Sequence, residues 1–154
     1  MTSTKVPWEY NNHKVGKNET NDSFQFVHCF YRPLRPQYGT LGKIDPSMPI
    51  IHPLINKLKA SLIIKIKANL TPRTSEPEIT DFHTDFSPIL GNSTGVFYIN
   101  TNNGYTEFED GTIVESVANR AVFFKGSERH RGVSCTDEKI RVVINLNFFP
   151  EILV

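Results

Sequence analysis

Cysteine is scarce in this sequence, with only Cys29 and Cys135 among 154 residues. They stand far apart and without Cys-x-x-Cys spacing, which excludes a disulfide framework and a zinc knuckle and leaves two reduced, buried thiols as the expectation. An excess of either charge is also missing: 17 Lys plus Arg balance 16 Asp plus Glu, for a net +1. No electrostatic case follows for nucleic acid, an anionic membrane or a polycationic substrate. Long apolar runs are absent too. Leu62–Ile66 and Val142–Leu146 are interrupted by Lys65 and Asn145 and fall far short of the roughly 18 residues that span a bilayer. The first seven residues contain no signal-peptide core, so the Asn-x-Thr sequons at Asn18, Asn69 and Asn92 are expected to stay unmodified in a soluble, cytoplasmic protein. Finally, there is no repeat, low-complexity tract or clear linker, and the expectation is one domain over 1–154.

What is present divides into two parts. Residues 1–60 read as support for a core that follows them. Residues 11–23 are polar and turn-rich, a loop or mobile arm; Phe24–Tyr31 is aromatic and β-branched, hence a strand; Pro33, Pro36 and Pro46 hold an irregular crossing. Ile51, Leu54, Ile55 and Leu58 recur at helical spacing, which predicts a helix from Pro49 to Ala60 with Pro53 in its first turn. From Ser61 onward short strands alternate with turns, at 61–70, 94–100, 105–109, 112–117, 120–125, 129–134 and 139–149. Asn102-Asn103-Gly104 and Asp110-Gly111 each suit a hairpin connection. This is a mainly β chain. So many short strands over 61–149 favour a double-sheet jelly roll over an immunoglobulin-like sandwich, whose paired cysteines and core tryptophan are missing.

Of the five histidines, His83 lies two residues before Asp85, a spacing that in extended chain puts both side chains on one face. His130 opens another predicted strand 47 residues after His83, so a sheet folded back on itself can bring all three side chains to one ion. Two imidazoles and one carboxylate on one side of a metal leave the opposite positions open, the arrangement of non-haem Fe(II) oxygenases. A closed structural zinc site would draw on cysteine instead, and neither cysteine has a suitable neighbour. Eleven residues beyond His130 stands Arg141, inside the apolar strand Lys139–Phe149. An arginine there is costly to bury without a carboxylate, and no acidic residue of that strand meets it, so a bound dicarboxylate is an economical partner. His13, His28 and His52 fall in loop, strand and helix start with no chemistry assigned.

These motifs, taken in order, resemble the Fe(II)- and 2-oxoglutarate-dependent dioxygenases, in particular their prolyl-4-hydroxylase-like branch. The resemblance covers roughly residues 62–149 and is carried by Asn69-Leu70-Thr71-Pro72, His83-Thr84-Asp85, Tyr98-Ile99-Asn100, Gly104-Tyr105-Thr106-Glu107-Phe108, Ala121-Val122-Phe123-Phe124, His130-Arg131-Gly132 and Arg141. The wording is also similar to the small oxygenases of marine tailed phages, for which the compartment would be the host cytoplasm. The resemblance implies a double-stranded β-helix with one or two supporting N-terminal helices, Fe(II) on His83, Asp85 and His130, 2-oxoglutarate as cosubstrate and O₂ as oxidant. It further implies that Arg141 pairs with the distal carboxylate of 2-oxoglutarate, that Tyr98 reaches the same carboxylate, and that Asn69 contacts the metal-proximal end. Many relatives carry a Ser or Thr two residues after the Arg. Val143 stands there and cannot donate, so Tyr98 or Thr106 must supply that contact.

The implied reaction is hydroxylation of a C–H bond with release of succinate and CO₂, and the branch points to a peptidyl side chain as substrate. It calls for no Ser-His-Asp machinery. Tyr31–Pro53, the loop Arg73–Phe82 and Phe86–Ser93 are the segments expected to shape the substrate site, with Arg73, Glu76, Glu78 and Arg131 either lining it or standing as solvated surface charge. With only residues 1–60 outside the barrel, a small target or an open groove is expected. The rival classes are a non-catalytic metal-binding jelly roll or virion structural module, and an oxygenase of a small metabolite or nucleobase; no basic stripe with interleaved aromatics favours the last.

Overall fold

The computed structural model describes residues 6–12, 24–34, 42–85 and 91–151. The larger sheet contains β1 (Glu9–Asn11), β2 (Gln25–Arg32), β4 (Ala60–Pro72), β10 (Ile140–Pro150), β5 (Ser93–Tyr98) and β8 (Ala121–Lys125) in that order, with β3 (Lys43–Ile44) pairing against β2. The smaller sheet is β7 (Ile113–Glu115), β6 (Tyr105–Phe108) and β9 (His130–Val133). Isolated bridges Ile79–Val133 and His83–His130 extend it by one further extended segment. Every strand pairing is antiparallel. Two sheets facing one another in this connectivity make the jelly roll that the strand pattern predicts.

β10 lies between β4 and β5, with Val143 opposite both Asn69 and Tyr98. Its near-continuous apolar sequence follows from that central place, because both of its faces are covered. On the outer face Ile66, Ala68, Ile144, Leu146 and Phe148 pack with Phe30, Ile51 and Leu58. On the inner face only Val96, Tyr98 and Val143 form an apolar cluster, with Val114, Val122 and Phe124 against it. Most of the hydrophobic stabilisation therefore sits outside the barrel, which leaves the space between the sheets free for polar groups.

Several expectations are corrected here. The helix expected over 49–60 is a 3-10 turn, Met48–Ile51, running into the short helix α1, His52–Lys57. Prolines occupy the first turn of each, where no backbone donor is lost, and Lys59 at φ +47° ends the run. β1 and β3 lie in stretches that read as irregular, and their brevity hides them from any periodicity. Asn11 closes β1, while residues 13–23 of the expected arm lie outside the described residues, as do 35–41 and 86–90 of the expected substrate-site segments. Asp110-Gly111 does join the hairpin β6–β7, with Gly111 at φ +87°. Asn102-Asn103-Gly104 does not make a hairpin, since β5 pairs with β10 and β8; it is the corner that carries the chain from one sheet to the other. The segment Arg73–Phe82 is no free loop either, because Thr80 N donates to the Gly132 carbonyl and Ser134 N to that of Glu78.

An Asp, a Ser and a His do meet, at Asp45, Ser47 and His28, but in a different order from a nucleophilic triad. Ser47 Oγ donates to Asp45 Oδ1 at 2.6 Å, His28 Nε2 lies 2.8 Å from Ser47 Oγ, and Nδ1 donates to the Pro7 carbonyl at 2.7 Å. All three side chains are buried, and none lines the cavity described below. With the serine proton committed to the aspartate, the cluster is a clamp that ties residues 6–7 and the turn before the 3-10 helix to β2. His28→Ala should cost about 2–4 kcal/mol through the void and the orphaned carbonyl, read by denaturant unfolding, with metal affinity unchanged; a loss below about 0.5 kcal/mol would contradict the clamp.

Candidate functional site

The alternation of β4 and β10 sends Lys67, Asn69, Thr71, Arg141, Val143 and Asn145 toward the smaller sheet, while their even-numbered neighbours enter the outer core. Across from them come Thr106 of β6, His130 and Gly132 of β9, and Glu78, Thr80, His83 and Asp85 of the bridged segment. Together they enclose a cavity of about 110 Å³.

At one end, His83, Asp85 and His130 present ligand atoms that all lie within 4.8 Å of one another. Reciprocal backbone bonds between His83 and His130, N to O at 2.9 and 3.0 Å, put the two histidines side by side across adjacent strands. His83 Nδ1 donates to the Asp81 carbonyl at 2.9 Å and His130 Nδ1 to that of Glu128 at 3.4 Å, which turns both Nε2 atoms toward Asp85, at 3.6 and 3.8 Å from Oδ1. Carbonyls on Nδ1 and a bare Nε2 pointing inward are what a metal asks of imidazole. Phe124 and Phe108 pack against the His130 ring, with centroids 4.8 and 6.3 Å away, and His130 is only 4% exposed. The outer oxygen of Asp85 accepts from Asn145 Nδ2 at 2.9 Å, while Asn145 Oδ1 is buried with no partner among the described residues. The donor set, the tautomers and this orphaned oxygen fit a divalent ion with its bound water.

Proton affinities follow from the same contacts. Burial opposes charge on His83, but the Asp85 hydrogen bond and the Asp81 carbonyl outweigh it and hold the ring above its ordinary value. His130 is pushed down, chiefly by burial. Burial would raise Asp85, yet the His83 hydrogen bond and the charges of His130, His83 and Lys67 keep it below the usual carboxylate range. Without metal His83 is therefore the member of the triad that holds a proton more firmly than usual. A metal must displace it, so metal affinity should fall as pH drops through the raised His83 value, approaching tenfold per pH unit at the acid end, and level off above it. Competition titration over about pH 5.5–8 reads this; a flat profile would show that His83 is not a ligand.

At the other end lies Arg141, 7% exposed and without an acidic partner among the described residues. Its Nε donates to Ser116 Oγ at 3.0 Å, and Nη2 donates to the Tyr105 carbonyl and Thr106 Oγ1 at 3.2 and 3.3 Å. Nη1 has no such bond and faces Gly132, a cavity-lining residue. Burial pushes the guanidinium down from its ordinary value, with Tyr98 and Cys135 opposing, but guanidinium keeps its charge in proteins. Gly104 is required by room, not by a positive φ: a Cβ there would stand 2.7 Å from both Arg141 Cδ and the Val133 carbonyl.

Tyr98, fully buried, donates to Thr106 Oγ1 at 2.8 Å and does not itself line the cavity. Thr106 Oγ1 accepts from Arg141 and meets the Tyr98 hydroxyl, whose one proton also has the Val114 carbonyl within reach at 3.3 Å, so Thr106 is held by both groups at this end of the cavity. Asn69 lines the cavity with Oδ1 buried and unpaired among the described residues. Glu78 and Arg131 line it as well, Arg131 bonded to Glu107 at 2.8 Å and stacked over the Phe82 ring at 4.3 Å; Arg73 and Glu76 do not.

Among the cavity residues Lys67 and Asn145 escape the sequence reading, and so does Ser116, which accepts from Arg141 Nε. Lys67 is lowered by burial first and then by Lys65, with Asp85 opposing, and it makes no hydrogen bond or close ion pair among the described residues. A lysine in an apolar strand poses the same question as Arg141, although the alternation around Lys67 reads it as polar and outward.

No protein-family model matches the sequence, and no curated protein matches it significantly. Among solved structures, a 2OG-Fe(II) oxygenase family oxidoreductase from Burkholderia pseudomallei aligns over 94% of this chain and 74% of its own at TM-score 0.66 and 10% identity. A predicted oxalate decarboxylase from Thermotoga maritima aligns over 96% of both chains at TM-score 0.51 and 12% identity. An HTH_3 family transcriptional regulator from Vibrio cholerae aligns at TM-score 0.46 and 11% identity, and this chain spans 52% of that longer one. The first two share the jelly-roll fold with this chain. Among the described residues no helix is long and apolar enough to cross a membrane, and Cys29 and Cys135 are free and buried.

Proposed function

We propose that the protein is an Fe(II)- and 2-oxoglutarate-dependent dioxygenase that hydroxylates a C–H bond. The observation that carries this reading is a buried cation, Arg141, with no acidic partner among the described residues, opening onto the same cavity as two imidazoles and a carboxylate. A module that only held a metal would have no use for a buried guanidinium without a carboxylate partner beside it. The fold likeness to a structure described as a 2OG-Fe(II) oxygenase supports it, and the order of the motifs supports the prolyl-4-hydroxylase-like branch, from which a peptidyl target follows.

In this mechanism His83, Asp85 and His130 would hold the iron. Arg141 Nη1 and the Thr106 hydroxyl bind the distal carboxylate of 2-oxoglutarate, and Tyr98 fixes Thr106 in place, which replaces the donor that Val143 lacks. Asn69 lies between the two ends. Asn145 orients Asp85, while Phe108 and Phe124 hold His130 and keep water from its ring. Bound there, the iron with 2-oxoglutarate and O₂ supplies the oxidising chemistry, and the side chains supply orientation and exclusion of water.

The test is anaerobic. Apo-protein given Fe(II) and then 2-oxoglutarate should develop the weak visible charge-transfer band of the chelate. A protein that binds iron but shows no band is a metal-binding jelly-roll module instead.

A further inference from the structure

Lys67 and Arg141 face the same cavity from the same sheet but at opposite ends of it. In the β4–β10 ladder Arg141 is opposite Thr71 and Lys67 is opposite Asn145. Four residues of strand separate the two positions, about 13 Å. Asn145 is the residue bonded to Asp85, so Lys67 stands beside the His83–Asp85 side of the triad, and its charge is felt by those two residues and not by His130 or Arg141. Lys65, two residues along on the same face of β4, adds a second positive charge beyond it.

This end of the cavity is unbalanced. Among the described residues the one carboxylate whose charge bears on Lys67 is Asp85, which is already shared by two imidazoles; a divalent ion there would draw on Asp85 further and repel the ammonium. A half-buried lysine with no partner among the described residues, beside a site for a dication, is a place for an anion. Opposite Lys67, the unpaired Asn145 Oδ1 offers an acceptor to a neighbouring N–H or O–H. With about 13 Å of strand between the two positions, a molecule held by Arg141 and the triad leaves Lys67 to a second molecule.

We infer that Lys67 is a specificity-determining residue: it binds the carboxylate of the substrate, which is an organic acid, free or as an acidic group of a peptide, carrying an N–H or O–H donor for Asn145. This rests on the dioxygenase reading above and assigns the half of the cavity which that reading leaves unused.

The test uses trifluoroacetate as a carboxylate probe and trifluoroacetamide as its uncharged match. The protein is loaded anaerobically with Co(II) and saturated with 2-oxoglutarate, so that the metal and Arg141 are both occupied, and ¹⁹F relaxation is followed as each probe is added. Trifluoroacetate should show saturable paramagnetic relaxation enhancement in the wild type and in Lys57→Met, a control on the far side of the larger sheet, and at least a fivefold smaller one in Lys67→Met; the amide should show none. Equal enhancement for acid and amide, no enhancement in the wild type, or full enhancement in Lys67→Met would overturn the assignment. Loading is checked by the Co(II) and 2-oxoglutarate spectra, which also show that Lys67→Met is folded. A wild type that fails to load refutes the dioxygenase reading, and the substrate assignment with it; one that loads but ignores the probe refutes Lys67 alone.

Discussion

Arg141→Met leaves iron uptake intact and weakens 2-oxoglutarate binding by roughly two to four orders of magnitude, the equivalent of losing one partner of a buried charge-assisted pair at about 3–5 kcal/mol. The size follows from the surroundings. Arg141 is the buried cation of the cavity that has no acidic partner among the described residues, Arg131 being bonded to Glu107, and Thr106 offers only a neutral hydrogen bond in its place. The same substitution should leave the ligand-free protein about as stable as before, or slightly more stable. Three hydrogen bonds are lost, to Ser116, Tyr105 and Thr106, but so is the burial of an unpaired charge. Titration of 2-oxoglutarate into Fe(II)-loaded protein, beside denaturant unfolding of the apo form, measures both. Parallel loss of iron and cosubstrate would mean that β10 had lost its place, and the dicarboxylate role would fall with it.

His130→Ala should abolish metal binding at micromolar concentrations, a loss of at least about three orders of magnitude, because a site with three protein ligands cannot hold a divalent ion at that level on two. Its stability cost should be modest for so buried a residue. The ring makes one long bond, to the Glu128 carbonyl at 3.4 Å, and its packing partners Phe108 and Phe124 can close part of the void. Metal content after dialysis, compared between wild type and variant, decides it. Retention of stoichiometric metal would remove His130 from the ligand set.

How much of this is legible in the sequence differs by residue, and for physical reasons. His83, Asp85, His130 and Arg141 are readable because each breaks the rule of its own strand, and such breaks point to a ligand. The long strands β4, β5 and β10 are readable from composition. Lys67 is harder: in Ile64-Lys65-Ile66-Lys67-Ala68 the alternation reads as apolar-in and polar-out, and so it is with respect to the outer core. What the alternation cannot say is that "out" faces the second sheet, since that depends on where β6 and β9 come to lie. Gly104 shows a related gap. Its dipeptide suggests a turn that needs positive φ, whereas its real constraint is the side chain of a residue 37 positions away. Ile79–His83 is missed because its partner strand, not its own composition, makes it extended.

The division of β4 and β10 by parity has a consequence for how this protein can change. Even-numbered positions such as Ile66, Ala68, Ile144 and Leu146 belong to the outer core, and odd-numbered ones from Lys67 to Thr71 and from Arg141 to Asn145 face the cavity. Thermal tolerance and ligand choice are thus written on interleaved letters of the same strands. A library randomised at Lys67, Asn69 and Thr71 explores new chemistries while the packing that holds the sheet together is inherited untouched, and drift at the even positions tunes melting without erasing selectivity.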